Sequence, residues 1–453
     1  MRANLAWGRG TVKAIAVIAS DGRGPCYHPA ALRIERAPFF RGRFTLPGDK
    51  SISHRAAILG AMAAGETRIR NYSSAADCAA TLACLRGLGV EVRREGSEVA
   101  IEGGGLEAWR APEGVLDAEN SGSTIRMLAG ALAGRPFRSV LTGDQSLRRR
   151  PVERVAAPLR AMGATVLTAG GMPPMTIDGG RLRGLVYELP VASAQVKTAV
   201  LLAGLQAAGT TTVREPGPSR DHTERMLPAF GVSVEREGLA ATVRGGARLR
   251  GTEVEVPGDA SSAAFLVVAA LVLPDSEVRL DGVLLSPTRT AFVDVLRAMG
   301  GKVEARLERT DPEPVGSILA SSSRLHGTAV DPALVPSLID EVPALAAAAA
   351  FADGPFTVTG ASELRVKESD RIAALAEGLA ALGARVRELP DGLVVEGGAR
   401  LRGARVRSHG DHRIAMALSV AALAADGATE VEGAECVAVS FPEFYALLER
   451  ARG

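Results

Sequence analysis

The chain has 453 residues, 47% of them hydrophobic, enough to bury more than one core; this excludes a peptide-sized or disordered protein and favours at least two domains. Its 53 Lys and Arg stand against 51 Asp and Glu, so no global field draws it to nucleic acid or to an acidic membrane, and any anion site must be built locally. The cysteines Cys26, Cys78, Cys84 and Cys436 show no paired metal-ligand spacing and are too sparse for a disulfide scaffold, which points to a reducing cytoplasm.

Near the start, Ala14 to Ala19 forms an apolar run behind Arg9 and Lys13 that is shorter than the core of a signal peptide, and residues 1–30 are expected to be an irregular extension. No apolar segment reaches the ~18 residues of a membrane span, so a soluble protein without a membrane partner is expected.

From residue 52 onward the sequence repeats. Six Ala-rich, nearly uncharged stretches begin at Ile52, Ile125, Val196, Ala263, Val342 and Ile414, spaced by 73, 71, 67, 79 and 72 residues. Each is apolar on nearly every face, as a helix is when other elements surround it. After them come β-branched runs such as Thr210 to Val213 and Phe356 to Thr359, then a more amphipathic helix closing on a Leu-x-x-x-Gly pattern: Leu85/Gly89, Leu159/Gly163, Leu227/Gly231, Leu296/Gly300 and Leu379/Gly383. Alternating segments such as Val90 to Arg93, Val232 to Glu235 and Ala384 to Arg387 follow. The unit reads as helix, strand, helix, strands over roughly 70 residues. A second self-similarity divides the six units into two sets of three: Leu46-Pro-Gly-Asp-Lys-Ser51 recurs as Val256-Pro-Gly-Asp-Ala-Ser261. Period alone fits a plain solenoid equally well.

The polar loops ahead of the core helices carry the chemistry, because a helix N-terminus offers free N–H groups and a positive dipole end. In chain order, Lys50-Ser51-Ile-Ser-His-Arg55 sets two cations where the dipole disfavours them, a conflict that a bound anion removes; the competing reading has Ser51 or Ser53 as a simple cap and both cations in water. Asn120-Ser-Gly122-Ser-Thr124, with Arg126 behind it, clusters donors around a glycine. Arg148-Arg149-Arg150 is ordinarily a solvated basic run, yet its place at a strand-to-helix turn admits one functional arginine. Ser193-Ala194-Gln195 and Ser219-Arg220 add neutral donors and a cation suited to a polyhydroxylated ligand. Asp340-Glu341 reads either as a helix cap or as a general base. Lys367 and Arg371 are four apart, on one side if helical, with Glu368 between them. His409-Gly-Asp411-His412-Arg413 lacks a distant partner set for a metal, and Arg413 fits better as an anion ligand.

Taken together, LPGDKSISHR, NSGSTIR, LRRRPVERV, ASAQVKTAVLLAG, SRDHTERML, PSLIDEVP, ELRVKESDRI and GDHRIAM resemble, in order from about residue 40 to 445, the 5-enolpyruvylshikimate-3-phosphate (EPSP) synthase family. The resemblance implies an α/β fold of two similar domains, each of three βαβαββ-like repeats packed around buried helices, with a cleft between them. One domain would span residues 50–257 and the other residues 31–49 plus 258–453, with hinges near Pro47 and Pro257. It also implies transfer of the carboxyvinyl group of phosphoenolpyruvate to the 5-hydroxyl of shikimate 3-phosphate with release of phosphate, a step toward chorismate and the aromatic amino acids.

By motif, Lys50, Ser51, Arg55, Ser193, Ala194, Gln195, Arg220, Asp340 and Lys367 resemble the family's shikimate 3-phosphate contacts. Lys50, Asn120, Gly122, Arg150, Gln195, Arg371 and Arg413 resemble its phosphoenolpyruvate contacts. Asp340 is the candidate proton acceptor, with Glu368 and Lys50 the candidates for proton exchange at carbon. The reaction needs no redox step or Lewis acid, and the sequence has no dinucleotide fingerprint, so neither cofactor nor metal is expected. A monomer is expected, closing around its ligands because two basic faces repel when empty. Val439 stands where many relatives carry Lys, and Gly122, where certain relatives have Ala, leaves room for glyphosate. Competing readings are the related transferase acting on UDP-N-acetylglucosamine, whose mobile-loop Cys and Lys-Asn pair have no counterpart here, and an inactive anion-binding scaffold.

Overall fold

The computed structural model describes residues 31–452. The expected irregular extension over residues 1–30 lies outside the described residues. All six Ala-rich stretches are helices: α1 (Lys50–Met62), α2 (Gly122–Leu132), α3 (Ala194–Gly204), α4 (Ala260–Val272), α5 (Val342–Ala349) and α6 (His412–Ala424). Because no face carries a stripe of charge, each can be enclosed on all sides, and nearly every residue in them is buried. Helices α1, α2 and α3 pack on one another in one half of the molecule, and α4, α5 and α6 do so in the other. Helices α2 and α3 approach so closely that a Cβ on Gly130 would lie 2.1 Å from the Ala199 carbonyl oxygen.

Around each trio stand three small sheets, and four of the six follow one plan, in which one strand pairs in parallel with a central strand that an antiparallel hairpin flanks; the sheet of Phe356–Val358, Gly392–Val395 and Val386–Leu389 lacks the parallel strand, and in the sixth Leu32–Ile34 takes the place of the hairpin beside Thr429–Glu432. Leu116–Asp117, Arg138–Thr142, Met172–Asp178 and Thr165–Ala169 show the plan within one stretch of chain. The Leu-x-x-x-Gly glycines end the second helix of the unit: Gly89, Gly163, Gly231, Gly300 and Gly383 all have φ between 81° and 113°, a left-handed turn that side-chained residues resist. The unit ending at Gly231 departs from the expected amphipathic helix. Pro228 breaks it, leaving His222–Met226 and a 3-10 turn Leu227–Phe230, and the strand after it is only Glu235–Glu237.

The chain crosses between halves twice. Arg41–Thr45, just ahead of α1, pairs in parallel with Glu277–Leu284 of the second half, whereas Glu253–Glu255, just ahead of α4, pairs in parallel with Ala64–Arg70 of the first. The two crossings touch: Asp49 N donates to Pro257 O at 2.7 Å, and Asp259 N donates to Pro47 O at 3.0 Å. Five of the six core helices therefore start at loops whose polar side chains meet between the halves, with Asp259 of the sixth on the crossing itself.

Candidate active site

In the first half, α1 begins after Asp49, whose carboxylate accepts from Ile52 N at 2.9 Å, so neither Ser51 nor Ser53 is the cap. Lys50 opens the helix and places its ammonium 2.9 Å from Asp77, in the first turn of the helix Ala76–Gly87. Burial works against the charged form of Lys50, but the Asp77 carboxylate outweighs it and the pKa stands above its ordinary value. Arg55 is buried one turn on and donates at 2.9 Å each to Ser51 O, Thr198 Oγ1 and Thr223 Oγ1; burial brings its pKa down to about 10.

Ser121 and Ser193 cap α2 and α3. Gln195 bridges the two helix starts, donating to Ser123 Oγ at 3.0 Å and accepting from Arg126 at 2.9 Å. Burial draws Arg126 down to about 9. The Arg148-Arg149-Arg150 run divides: Arg148 and Arg149 are exposed, while Arg150 is buried and donates to Asn120 Oδ1 at 2.7 Å, Ser146 Oγ at 3.0 Å and Glu368 Oε1 at 3.3 Å.

In the second half, neither Asp340 nor Glu341 caps α5 through its side chain. Asp340 instead gathers cations: Arg220 at 2.6 Å, Arg371 at 3.3 Å, Lys367 at 3.5 Å and Arg413 at 3.9 Å, with Arg413 also donating to its carbonyl oxygen at 2.7 Å. Burial favours the protonated carboxyl, but Lys367, Arg413, Arg220 and Arg371 outweigh it and hold Asp340 well below the carboxylate range. Glu368, 2.6 Å from Arg371 and 3.3 Å from Arg150, is likewise held low against burial, chiefly by those two arginines. The condition under which Lys367 and Arg371 would share a helical face is not met. Lys367 ends a 3-10 turn (Ser362–Val366), and Arg371 opens a separate helix (Arg371–Ala381) capped by Asp370. Arg371 is fully buried, with Asp411 at 2.8 Å fixing its other edge.

The two faces of the cleft are not both basic, contrary to the expectation. Carboxylates of the second half meet arginines of the first in the pairs Arg220–Asp340, Arg150–Glu368 and, at 3.3 Å, Arg154–Glu363, and these bridge the halves. The short histidine cluster is dispersed: His409 lies 3.1 Å from Glu377, Asp411 binds Arg371, and His412 is buried. Among the described residues no group of three His, Cys, Asp or Glu could hold a metal.

The family model for EPSP synthase (3-phosphoshikimate 1-carboxyvinyltransferase) matches residues 37–448. The chain belongs to the EPSP synthase family. It is 50% identical over 420 residues to the 3-phosphoshikimate 1-carboxyvinyltransferase of Desulfitobacterium hafniense, covering 92% of this chain and 97% of that one. The counterpart from Pelotomaculum thermopropionicum is 52% identical over 423 residues, covering 92% and 98%. Among solved structures, EPSP synthase from Acinetobacter baumannii superposes with a TM-score of 0.82 at 44% identity, over 93% of this chain and 97% of that one. The enolpyruvyl transferase NikO from Streptomyces tendae, at 20% identity and a TM-score of 0.75, shares the fold.

Sequence reasoning missed two groups that this EPSP synthase family member brings to the site. Asp77 is an acid in the first turn of a helix, indistinguishable in sequence from an ordinary dipole complement. Arg289 lies in a loop 240 residues from Asp49, the carboxylate it binds, and nothing local marks it.

Proposed function

We propose that this chain transfers the carboxyvinyl group of phosphoenolpyruvate to the 5-hydroxyl of shikimate 3-phosphate, using Asp340, Glu368 and Lys50 as its proton-handling groups. The observation that carries this reading is Asp340, a partly buried carboxylate within hydrogen-bond or ion-pair reach of four cations drawn from both halves. Such a cation cluster suits substrates that bring two phosphates and two carboxylates between them.

In this reading Lys50, Ser51, Arg55, Ser193, Ala194, Gln195, Arg220, Asp340 and Lys367 receive shikimate 3-phosphate. Lys50, Asn120, Gly122, Gln195, Arg150, Arg371 and Arg413 receive phosphoenolpyruvate. The methylene carbon of phosphoenolpyruvate takes a proton while the 5-hydroxyl oxygen bonds to the neighbouring carbon and gives its own proton to Asp340. In the second stage the new methyl group loses a proton, the carbon–carbon double bond re-forms, and the C–O bond to phosphate breaks. Glu368 and Lys50, on opposite walls, supply and recover the proton at carbon. Empty, the four cations leave Asp340 a poor base. Incoming anions share those cations, and Asp340 then gains proton affinity only when its substrates are in place.

We place the boundary between domains at 50–257 against 31–49 plus 258–453, which the two strand crossings support. Both walls of the cleft come from one chain, which supports a monomer. No single helix among the described residues is long and apolar enough to cross a membrane, and Cys78, Cys84 and Cys436 are free thiols, in keeping with work in the cytoplasm. Glyphosate competes with phosphoenolpyruvate in this reading.

Phosphate release by the purified protein, with phosphoenolpyruvate and either shikimate 3-phosphate or UDP-N-acetylglucosamine, is the test. Release with shikimate 3-phosphate alone supports the proposal. Release only with the UDP-sugar transfers the chain to the sister activity, and release with neither leaves an anion-binding scaffold.

A further inference from the structure

The two Pro-Gly-Asp copies share one partner. Asp49 caps α1 and Asp259 caps α4, and each crossing bonds to the other through its backbone. Lys50 N also donates to Asp259 Oδ2 at 3.1 Å. Into this junction the loop ahead of the helix Ala291–Ala298 sends Arg289, which is 1% exposed. Its guanidinium donates to Asp49 Oδ2 at 2.7 Å, to Ser261 Oγ at 2.8 Å and to Asp259 Oδ1 at 3.5 Å. Ser261 Oγ in turn donates to Glu341, which is fully buried.

We propose that Arg289 is a positioning residue that locks the two interdomain crossings in register and thereby sets where Lys50 and Asp340 stand relative to each other in the closed cleft. Its contacts end one residue short of both: Asp49 precedes Lys50, and Glu341, reached through Ser261, follows Asp340. Three buried carboxylates, Asp49, Asp259 and Glu341, converge here and would repel without a cation among them. The planar guanidinium serves two carboxylates and a hydroxyl at once, which the single point of a lysine ammonium does not. Burial opposes the charge on Asp49, yet Arg289 outweighs it and the pKa falls to about 2, so the Asp49–Arg289 pair stays charged at neutral pH, whereas burial pushes Glu341 up. The inference rests on the reading of Lys50 and Asp340 as reacting groups.

The test compares Arg289→Lys with the unmodified chain by kcat, by calorimetric binding of shikimate 3-phosphate alone, by thermal unfolding and by small-angle scattering with and without ligands. Arg289→Lys keeps the buried charge and is expected to stay folded, with Tm lowered by no more than about 5 °C. Because a displacement of about 1 Å at the reacting groups costs about a hundredfold, kcat should fall by that order, with binding of shikimate 3-phosphate changed less than about threefold. Ligand-induced compaction should be weakened in parallel. A merely structural role would lower Tm while leaving kcat of the folded fraction intact, and that result, or equal losses in kcat and binding, overturns the proposal. Should Arg289→Lys fail to fold, Asp259→Asn, which keeps the α4 cap and removes its charge, must show the same loss of kcat and compaction or the proposal falls. If the unmodified chain releases no phosphate, the functional reading fails by itself, and the compaction measurement alone then decides the clasp.

Discussion

The segments Pro47–Arg55 and Pro257–Phe265 are two copies of one design put to different uses. Both run Pro-Gly-Asp, both cap a buried helix through the aspartate, and both carry the chain between halves. They part at the residues that follow. Lys50, Ser53, His54 and Arg55 in the first stand where Ala260, Ala263, Ala264 and Phe265 stand in the second. The first set forms a polar network that reaches Asp77, Ser73, Thr81, Thr198 and Thr223; the second set is closed into apolar packing. Ser51, matched by Ser261, apart, the shared residues build the scaffold and the departures from the repeat build the site.

Each prediction presses on that contrast. The largest effect is expected where the halves meet: Asp340→Asn removes the proton acceptor while keeping its shape, and kcat for phosphate release should fall by about 10²–10⁴-fold. Lys50→Ala, which makes the first copy like the second, should lower kcat by about 10²–10³-fold in the same assay. Gly122→Ala sets a Cβ 2.7 Å from Arg126 Nη1. It should raise KM for phosphoenolpyruvate by about tenfold and weaken glyphosate inhibition at least as much, measured as an inhibition constant. Arg149→Ala should leave kcat unchanged and alter stability by no more than about 0.5 kcal/mol, whereas Arg150→Ala raises KM for phosphoenolpyruvate.

A separate effect concerns pH and acts on stability, not on turnover. His54 is held well below 6.5 by burial and then by Lys50 and Arg55, so it stays neutral where the unfolded chain takes up a proton. Stability therefore falls as pH drops below about 6.5, with a slope of up to about 1.4 kcal/mol per pH unit from this group. His54→Ala, matching Ala264, should remove that part of the slope in denaturant melts taken between pH 7 and pH 5.

The core helices and their glycine stops were legible because both are local: an uncharged Ala-rich run and a glycine in the left-handed region need no knowledge of distant partners. The cations of the site were legible for the same reason, since most stand at or near the start of a helix: Lys50 and Arg413 at core helices, Arg150, Arg220 and Arg371 at others. What could not be read was who meets whom. Lys50 finds Asp77 on a neighbouring helix, Arg220 finds Asp340 across 120 residues, and Arg289 reaches both crossings at once. The expectation of two basic faces failed on this point, because nothing local says that Asp340, Glu363 and Glu368 face Arg220, Arg154 and Arg150 across the cleft. Lys367 and Arg371 meet at Asp340 although no one helix carries both.

The central claim is a transfer, not a hydrolysis, and phosphorus and proton magnetic resonance of one reaction mixture tests it directly. With the unmodified chain, phosphoenolpyruvate and shikimate 3-phosphate, inorganic phosphate should appear in step with a new vinylic methylene pair on the acceptor, one for one. Phosphate appearing while shikimate 3-phosphate is left unconsumed would contradict the account.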